Sequence, residues 1–314
     1  MRFFQNPKYD FMNVRKIAFG ISGALLIISI LALVFHGPKF GIDFRGGTLL
    51  EIRFQDPRNP ETPLSIPIDR VRSVFKSFGL ENTEIKHYGS EQEIAILLDF
   101  GVSADTTLMA NLYEGLQKEF PDYRIEERRR ETVGPKIGQE LVVSAIKAIL
   151  VSLGLILLYI MFRFELRYGV GAVLALFHDV LITLGLFSIF DIEIDIPVIA
   201  ALLTIVGYSL NDTIVVFDRI RENLAVMKRR VGSYTQLVNQ SINDTLSRTI
   251  VTSGTTLIVV FILFLFGGEI IKDFTIALIF GIIIGTYSSI FIASPVLVEW
   301  ENRKAARAAA LKKR

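Results

Sequence analysis

Apolar residues in this chain gather in long blocks. They occupy 17–35, 141–162, 168–189, 196–217, 249–266 and 274–298, the second interrupted by Lys147. Each block is about 18–25 residues, the length a helix needs to cross ~30 Å of hydrocarbon. The pattern therefore predicts six transmembrane helices. The first block is too long for the apolar core of a signal peptide, lacks an Ala-x-Ala cleavage site and precedes further spans, so it is expected to stay in place.

Between 36 and 139 the pattern changes to alternation mixed with Pro, Gly and charge. "TLLEIRF" predicts a strand. Residues 66–78 predict an amphipathic helix, with Pro67 in its first turn and Gly79 as its stop. "EIKHY" and "EIAILLDF" predict two strands joined by a short Gly-Ser-Glu turn. Residues 104–120 predict a second helix with Ser103 as N-cap, and "YRIEERR" a last strand. The order βαββαβ is that of the ferredoxin-like split motif, which hosts many functions and identifies none. The charged run 126–131 reads as a solvated strand edge rather than a binding patch. His87 stands alone and reads as a surface or satisfied histidine. The flanks 36–41 and 132–139 each contain Gly-Pro-Lys and a further Gly, which suits hinges and rigid corners alike.

The resulting division is an N-terminal arm (1–16), a first span (17–35), an inserted α+β domain (36–139), five further spans (140–299) and a basic tail (300–314). Lys and Arg in the short loops set the orientation. Arg2, Lys8, Arg15 and Lys16 lie in the arm, and Arg163 and Arg167 follow the second span. Arg219, Arg221, Lys228, Arg229, Arg230 and Arg248 follow the fourth, and Arg303, Lys304, Arg307, Lys312, Lys313 and Arg314 lie in the tail. "FDIEID" and "GGEIIKD" on the opposite side hold one basic residue between them. Both termini are thus expected in the cytoplasm and the inserted domain outside it. Net charge is only +2, so bulk charge points to no nucleic-acid partner. The chain has no cysteine, which excludes disulfides, thiolate catalysis and Cys-ligated metals.

One span carries a carboxylate. In "GYSLNDTIVVFDRIREN" Asp212 lies seven residues before Arg219, ~10 Å inside the basic end of its helix. Tyr208 and Thr204 share its face at i−4 and i−8, Ser209 sits at i−3, and Gly207, Asn211 and Thr213 are its neighbours. An ionised group at the bilayer centre costs on the order of 2.5–3.5 kcal/mol on insertion scales, and such residues usually serve a function. A proton relay and a structural hydrogen-bond hub are both open readings. "INDTLSRTIVTSGTT" puts Arg248, Thr252, Thr255 and Thr256 on one face of the fifth span. Arg248 is either the cation of that relay or an anchor at the membrane edge. "FHDV" places His178 and Asp179 inside the third span, as a second proton group or a packing pair. Three histidines without an H-E-x-x-H pattern give no zinc site. Ala277, Gly281, Gly285, Ser288 and Ser289 form a small-residue face on the sixth span, explained by packing alone. Lys147 lies near the outer end of its span and can snorkel there. No nucleophile–base pair, phosphate-binding loop or ATP motif is visible, and "DFRGGT" lacks a P-loop lysine. Enzymatic chemistry is not expected, and any work done would draw on a source other than ATP.

With "GIDFRGGT", "VGPKIGQEL", "FHDV", "GYSLNDTIVVFDRIREN" and "INDTLSRTIVTS" in that order, the whole chain resembles the SecF side of the SecD/SecF family, bacterial protein-export membrane proteins of the RND superfamily. The resemblance implies a membrane α-helical bundle of the RND half type with an extracytoplasmic ferredoxin-like insert. It implies a proton path through Asp212 and Arg248, with the proton as coupling ion and no cofactor. The implied partners are SecD, the SecY/SecE/SecG channel, SecA, the accessory proteins YajC and YidC, and an unfolded preprotein, in the bacterial inner membrane. A proton-coupled small-molecule or lipid transporter half, a non-conducting assembly subunit and an intramembrane enzyme using His178 and Asp179 are the competing readings.

Overall fold

The computed structural model describes residues 7–59, 62–227 and 233–312. Arg2, Lys228, Arg229, Arg230, Lys313 and Arg314, used above for orientation, lie outside the described residues. The chain divides into two compact units, Phe40–Ile146 and Met1–Lys39 with Lys147–Arg314.

Four strands and two packed helices build the core of the first unit. Numbered through the whole chain, α1 (Arg15–Phe35) belongs to the helical unit, and the inserted unit begins with α2 (Ile42–Arg45) and β1 (Gly47–Gln55). It continues through α3 (Ile68–Ser77), β2 (Glu84–Tyr88), β3 (Ser90–Leu98), α4 (Phe100–Ala104), α5 (Thr106–Glu119) and β4 (Arg124–Val133). The strands form one antiparallel sheet of order β2-β3-β1-β4. This is the split βαββαβ arrangement predicted from the alternation. Leu50, Ile52 and Phe54 of β1 alternate inward and meet Ile94 and Ile96 of β3. Val71 and Phe75 of α3 and Leu112 and Leu116 of α5 cover them.

The predicted second helix is α5, which starts two residues later than expected, and a separate short helix, α4, precedes it. Asp105 separates α4 from α5, and its Oδ1 accepts hydrogen bonds from the amides of Thr107 and Leu108. Asp105 is therefore the N-cap, not Ser103, whose hydroxyl instead donates to the Phe100 carbonyl. β4 is the sheet edge, and its charged run is largely self-paired: Arg129 pairs with Glu51 and Glu131, and Arg130 with Glu127. His87 is exposed.

The family of glycines around "DFRGGT" has a steric origin. Gly46 and Gly47 have φ of +78° and +133°, where side-chain-bearing residues are strained. A Cβ on Gly47 would stand 2.7 Å from the Leu98 carbonyl oxygen, and one on Gly138 2.7 Å from the Phe44 oxygen.

The helical unit is built from α1, α6 (Pro135–Arg163, whose first turns lie in the inserted unit), α7 (Leu166–Ile189), α8 (Ile196–Met227), α9 (Tyr234–Phe266), α10 (Lys272–Ser288) and α11 (Ser294–Lys312). Among the described residues, six helices are long and apolar enough to cross a membrane. α10, a π segment (Ser289–Ala293) and α11 run on as one rod. Several helices outrun their apolar blocks: α8 continues to Met227, and α9 begins at Tyr234 behind a Ser233–Gln236 capping box. α8 packs on α9 and α10, and α7 on α1 and α10. Most of the apolar stretch of α6, Lys147 included, is left unburied, while Ile160 near its end joins the helical unit's core.

Candidate functional site

Close helix approach positions the polar groups. A Cβ on Gly281 would fall 2.2 Å from the Ile205 side chain, and one on Gly285 3.0 Å from the Ser209 Cβ. A side chain at Gly281 would have to displace Ile205, and one at Gly285 would press on Ser209, so glycine favours the close approach of α10 to α8 at these turns. Ala277 is fully buried on the same face. Small residues at four-residue spacing thus do the packing expected of them.

Asp212 lies within α8 and is 3% exposed. Its Oδ2 accepts a hydrogen bond from Ser253 Oγ of α9 at 3.2 Å. Thr286 of α10 donates to Ser253 Oγ at 2.8 Å, with the Ile282 carbonyl at 2.7 Å as its alternative acceptor. The carboxylate therefore ends a hydroxyl chain crossing three helices. Thr213 is buried beside it.

A second carboxylate lies deeper. Asp179 of α7 is 0% exposed. Its Oδ2 accepts from Ser209 Oγ of α8 at 2.6 Å and from Ser288 Oγ of α10 at 2.7 Å, and its Oδ1 stands 2.9 Å from His178 Nδ1. The sequence reading assigned Ser288 to packing alone; the structure also makes it a donor to a buried carboxylate.

Not every predicted neighbour joins. Thr204 and Asn211 are exposed, and the Thr204 hydroxyl turns back to the Ala200 carbonyl. The buried face of α8 runs through Ser209, Asp212 and Thr213 instead of Thr204 and Tyr208. Tyr208 is half-buried, its hydroxyl enclosed without a partner among the described residues. On α9 the carboxylate's partner is Ser253, which the Arg248–Thr252 stripe passed over by one residue. Thr252 is half-buried, and Thr255 is exposed. Thr249, four residues before Ser253, is buried on the same face.

Arg248 makes no ion pair among the described residues. It lines a polar cavity of about 1500 Å³ with Arg15, Arg219, Asn239, Asn243 and Asp244. The N-terminal arm forms another wall. Asn243 accepts from the Tyr9 amide at 2.9 Å and donates to the Tyr9 carbonyl at 2.8 Å. Asn239 donates to the same carbonyl at 2.9 Å and accepts from the Met12 amide at 3.2 Å. Two amides one turn apart on α9 thus hold the arm's backbone, an arrangement the hydropathy pattern did not reveal.

Six membrane-length helices among the described residues, with two buried carboxylates held between α7, α8, α9 and α10 and a split βαββαβ insert after α1, define a multi-pass membrane protein. Residues 113–303 match the family described as protein export membrane protein SecD/SecF, C-terminal, and residues 31–57 match the SecD/SecF GG motif. Protein translocase subunit SecF of Rhodothermus marinus is 47% identical over 98% of each chain, and that of Desulfurispirillum indicum is 46% identical over 96% of this chain and 94% of its own. The crystal structure of SecDF from Thermus thermophilus superposes with a TM-score of 0.81 at 38% identity over 95% of this chain. A SecDF structure in a super-membrane-facing form gives 0.72 at 36% over 98%. This chain spans 39% and 41% of those two SecDF chains. The chain belongs to the SecD/SecF family, on its SecF side.

Proposed function

We propose that this chain is a SecF-type subunit of the Sec protein translocase that, with SecD, uses proton flow through Asp212 to help drive exported chains across the membrane. It works as a transport subunit and not as an enzyme, with the proton as coupling ion and no cofactor. The observation that carries the reading is a buried carboxylate within a span, hydrogen-bonded into the Ser253–Thr286 chain. The polar cavity lined by Arg248 supports proton entry from the end of α8 that carries Arg219. Moving one charge through the full potential supplies ~2.3 kcal/mol per 100 mV, which can bias helix packing when Asp212 changes charge. Tyr208, Thr213 and Thr252 flank this path, with Arg248 as its cation. The basic loops favour cytoplasmic termini and an extracytoplasmic insert, and the bacterial SecF relatives favour the inner membrane. SecD is the direct partner. The SecY/SecE/SecG channel, SecA, YajC, YidC and an unfolded preprotein complete the working assembly.

Asp212→Asn tests it. Asn is nearly isosteric but cannot ionise, so proton-dependent export should be abolished while membrane insertion and co-purification with SecD persist. Arg248→Lys, which keeps charge but loses the planar fork, should be impaired, and Arg248→Ala more so. Full export by the Asn variant would leave Asp212 a structural hub.

A further inference from the structure

We propose that His178 and Asp179 form a second proton-holding site, enclosed between α7, α8 and α10, that acts in series with Asp212. The proposal rests on the proton-coupled reading above and adds a site to it.

Its position comes first. Asp179 lies thirteen residues into α7, ~20 Å from the Leu166 end and ~15 Å from the Ile189 end. Both side chains are almost wholly buried, His178 at 2% and Asp179 at 0% exposed.

The donor set comes next. Apart from His178, the groups bonded to the carboxylate are the neutral hydroxyls of Ser209 and Ser288. Across the site, α8 carries Asp212 and Tyr208, and α10 carries Tyr287. α1 turns Ser22 and Ser29 inward, and its Arg15 is paired with Glu299 of α11. No Lys or Arg pairs with Asp179 among the described residues. His178 is therefore the group able to balance an ionised Asp179. Imidazolium beside carboxylate is net neutral, and loss of one proton leaves the cluster at −1. A buried pair that exchanges one proton for one unit of net charge is a proton store.

His178 itself gives the independent sign. Its Nδ1 faces Asp179, its ring stacks on Tyr287 at 6.2 Å, and its Nε2 is buried without a hydrogen-bond partner among the described residues. A histidine kept only for structure normally satisfies both nitrogens when buried. An open Nε2 is where a proton or a water can arrive.

The link to Asp212 is built into two helices. On α8, Ser209 holds Asp179 and Asp212 follows one turn later. On α10, Ser288 holds Asp179 and Thr286 holds Ser253, which holds Asp212. A charge change at Asp179 weakens or strengthens the grip of both hydroxyls and so reaches both helices that frame Asp212. The π segment begins directly after Ser288, with Ser294 Oγ bonded to the Ser289 carbonyl. Such segments recur at functional sites inside helices.

The test uses the full chain with ¹⁵N-labelled histidine in lipid nanodiscs. The three histidines give assignable imidazole signals once His36→Gln and His87→Gln identify the other two. Across about pH 5 to 9, His178 should pass between imidazolium and neutral forms. In Asp179→Asn the midpoint should move by about one pH unit or the change should be lost, because the ring then faces a neutral amide in place of a carboxyl group. Should that variant fail to insert, Ser288→Ala, which removes a donor to the same carboxylate, should also move the midpoint. In export assays, Asp179→Asn should lose the proton-dependent component. A His178 held in one form throughout, or a midpoint indifferent to both substitutions, overturns the site. Titration as expected with unimpaired proton-dependent export in Asp179→Asn overturns its place in series. The histidine signal is read without translocation, so it is independent of the outcome for Asp212→Asn.

Discussion

Gly47 and Asp212 represent two ways a single residue is fixed. Gly47 is fixed by backbone geometry: its φ of +133° and the Leu98 carbonyl oxygen leave no room for a Cβ. Gly47→Ala should destabilise the inserted unit by about 1–3 kcal/mol from backbone strain, with the collision against Leu98 adding to it. Hydrogen exchange of the β1 and β3 amides in the full chain should read the loss, and unchanged protection would show that the strand relaxes around the methyl group. Asp212 is fixed by its medium: a carboxylate among apolar spans stands out in the sequence because its placement there is costly. Its partner Ser253 did not stand out, because serine is unremarkable in any helix. Choosing Ser253 over Thr252 depends on the rotation of α9 about its axis, which a weakly amphipathic apolar helix does not encode.

Among elements, the contact between α8 and α10 organises the polar interior. Gly281 and Gly285 remove the side chains that would hold the helices apart, and Ser209 and Ser288 then both reach Asp179. Gly285→Val should separate the pair at that turn. Overpacking of this kind costs typically 1–3 kcal/mol, so thermal unfolding of the helical unit should begin at lower temperature, and export should fall together with the Ser209–Asp179 bond. A variant with wild-type melting and wild-type export would show that the close approach is dispensable. The small-residue face was legible because its four-residue spacing is a one-dimensional signal. That Ser288 on this face also donates to a carboxylate of α7 was not legible, since α7 and α10 are far apart in the chain and the bond depends on how they cross.

At the scale of the whole molecule, the two units have separate hydrophobic cores with no shared member. Phe54 lies fully buried in one, with its ring 5.0 Å from that of Phe120. Phe54→Ala should remove about 3–5 kcal/mol from the inserted unit and leave the helical unit's own transition in place. Hydrogen exchange followed by mass spectrometry can resolve the two in the full chain, and a common loss of protection across both would mean that they unfold as one.

Hydropathy and alternation alone determined that this is a six-span membrane protein with a βαββαβ insert, because span length and strand period are local properties of the chain. They also singled out Asp212, His178 and Asp179, since ionisable side chains are conspicuous against an apolar background. The order of motifs supplied the family. Tertiary structure decided what those residues touch. It set Asp212 against Ser253, placed Asp179 under two serines from different helices, and kept Arg248 out of ion-pair contact with Asp212. It also tied the Tyr9 backbone to Asn239 and Asn243. Each of these depends on helix rotation and crossing, set by packing between segments distant in sequence, and no periodicity within one segment carries that information.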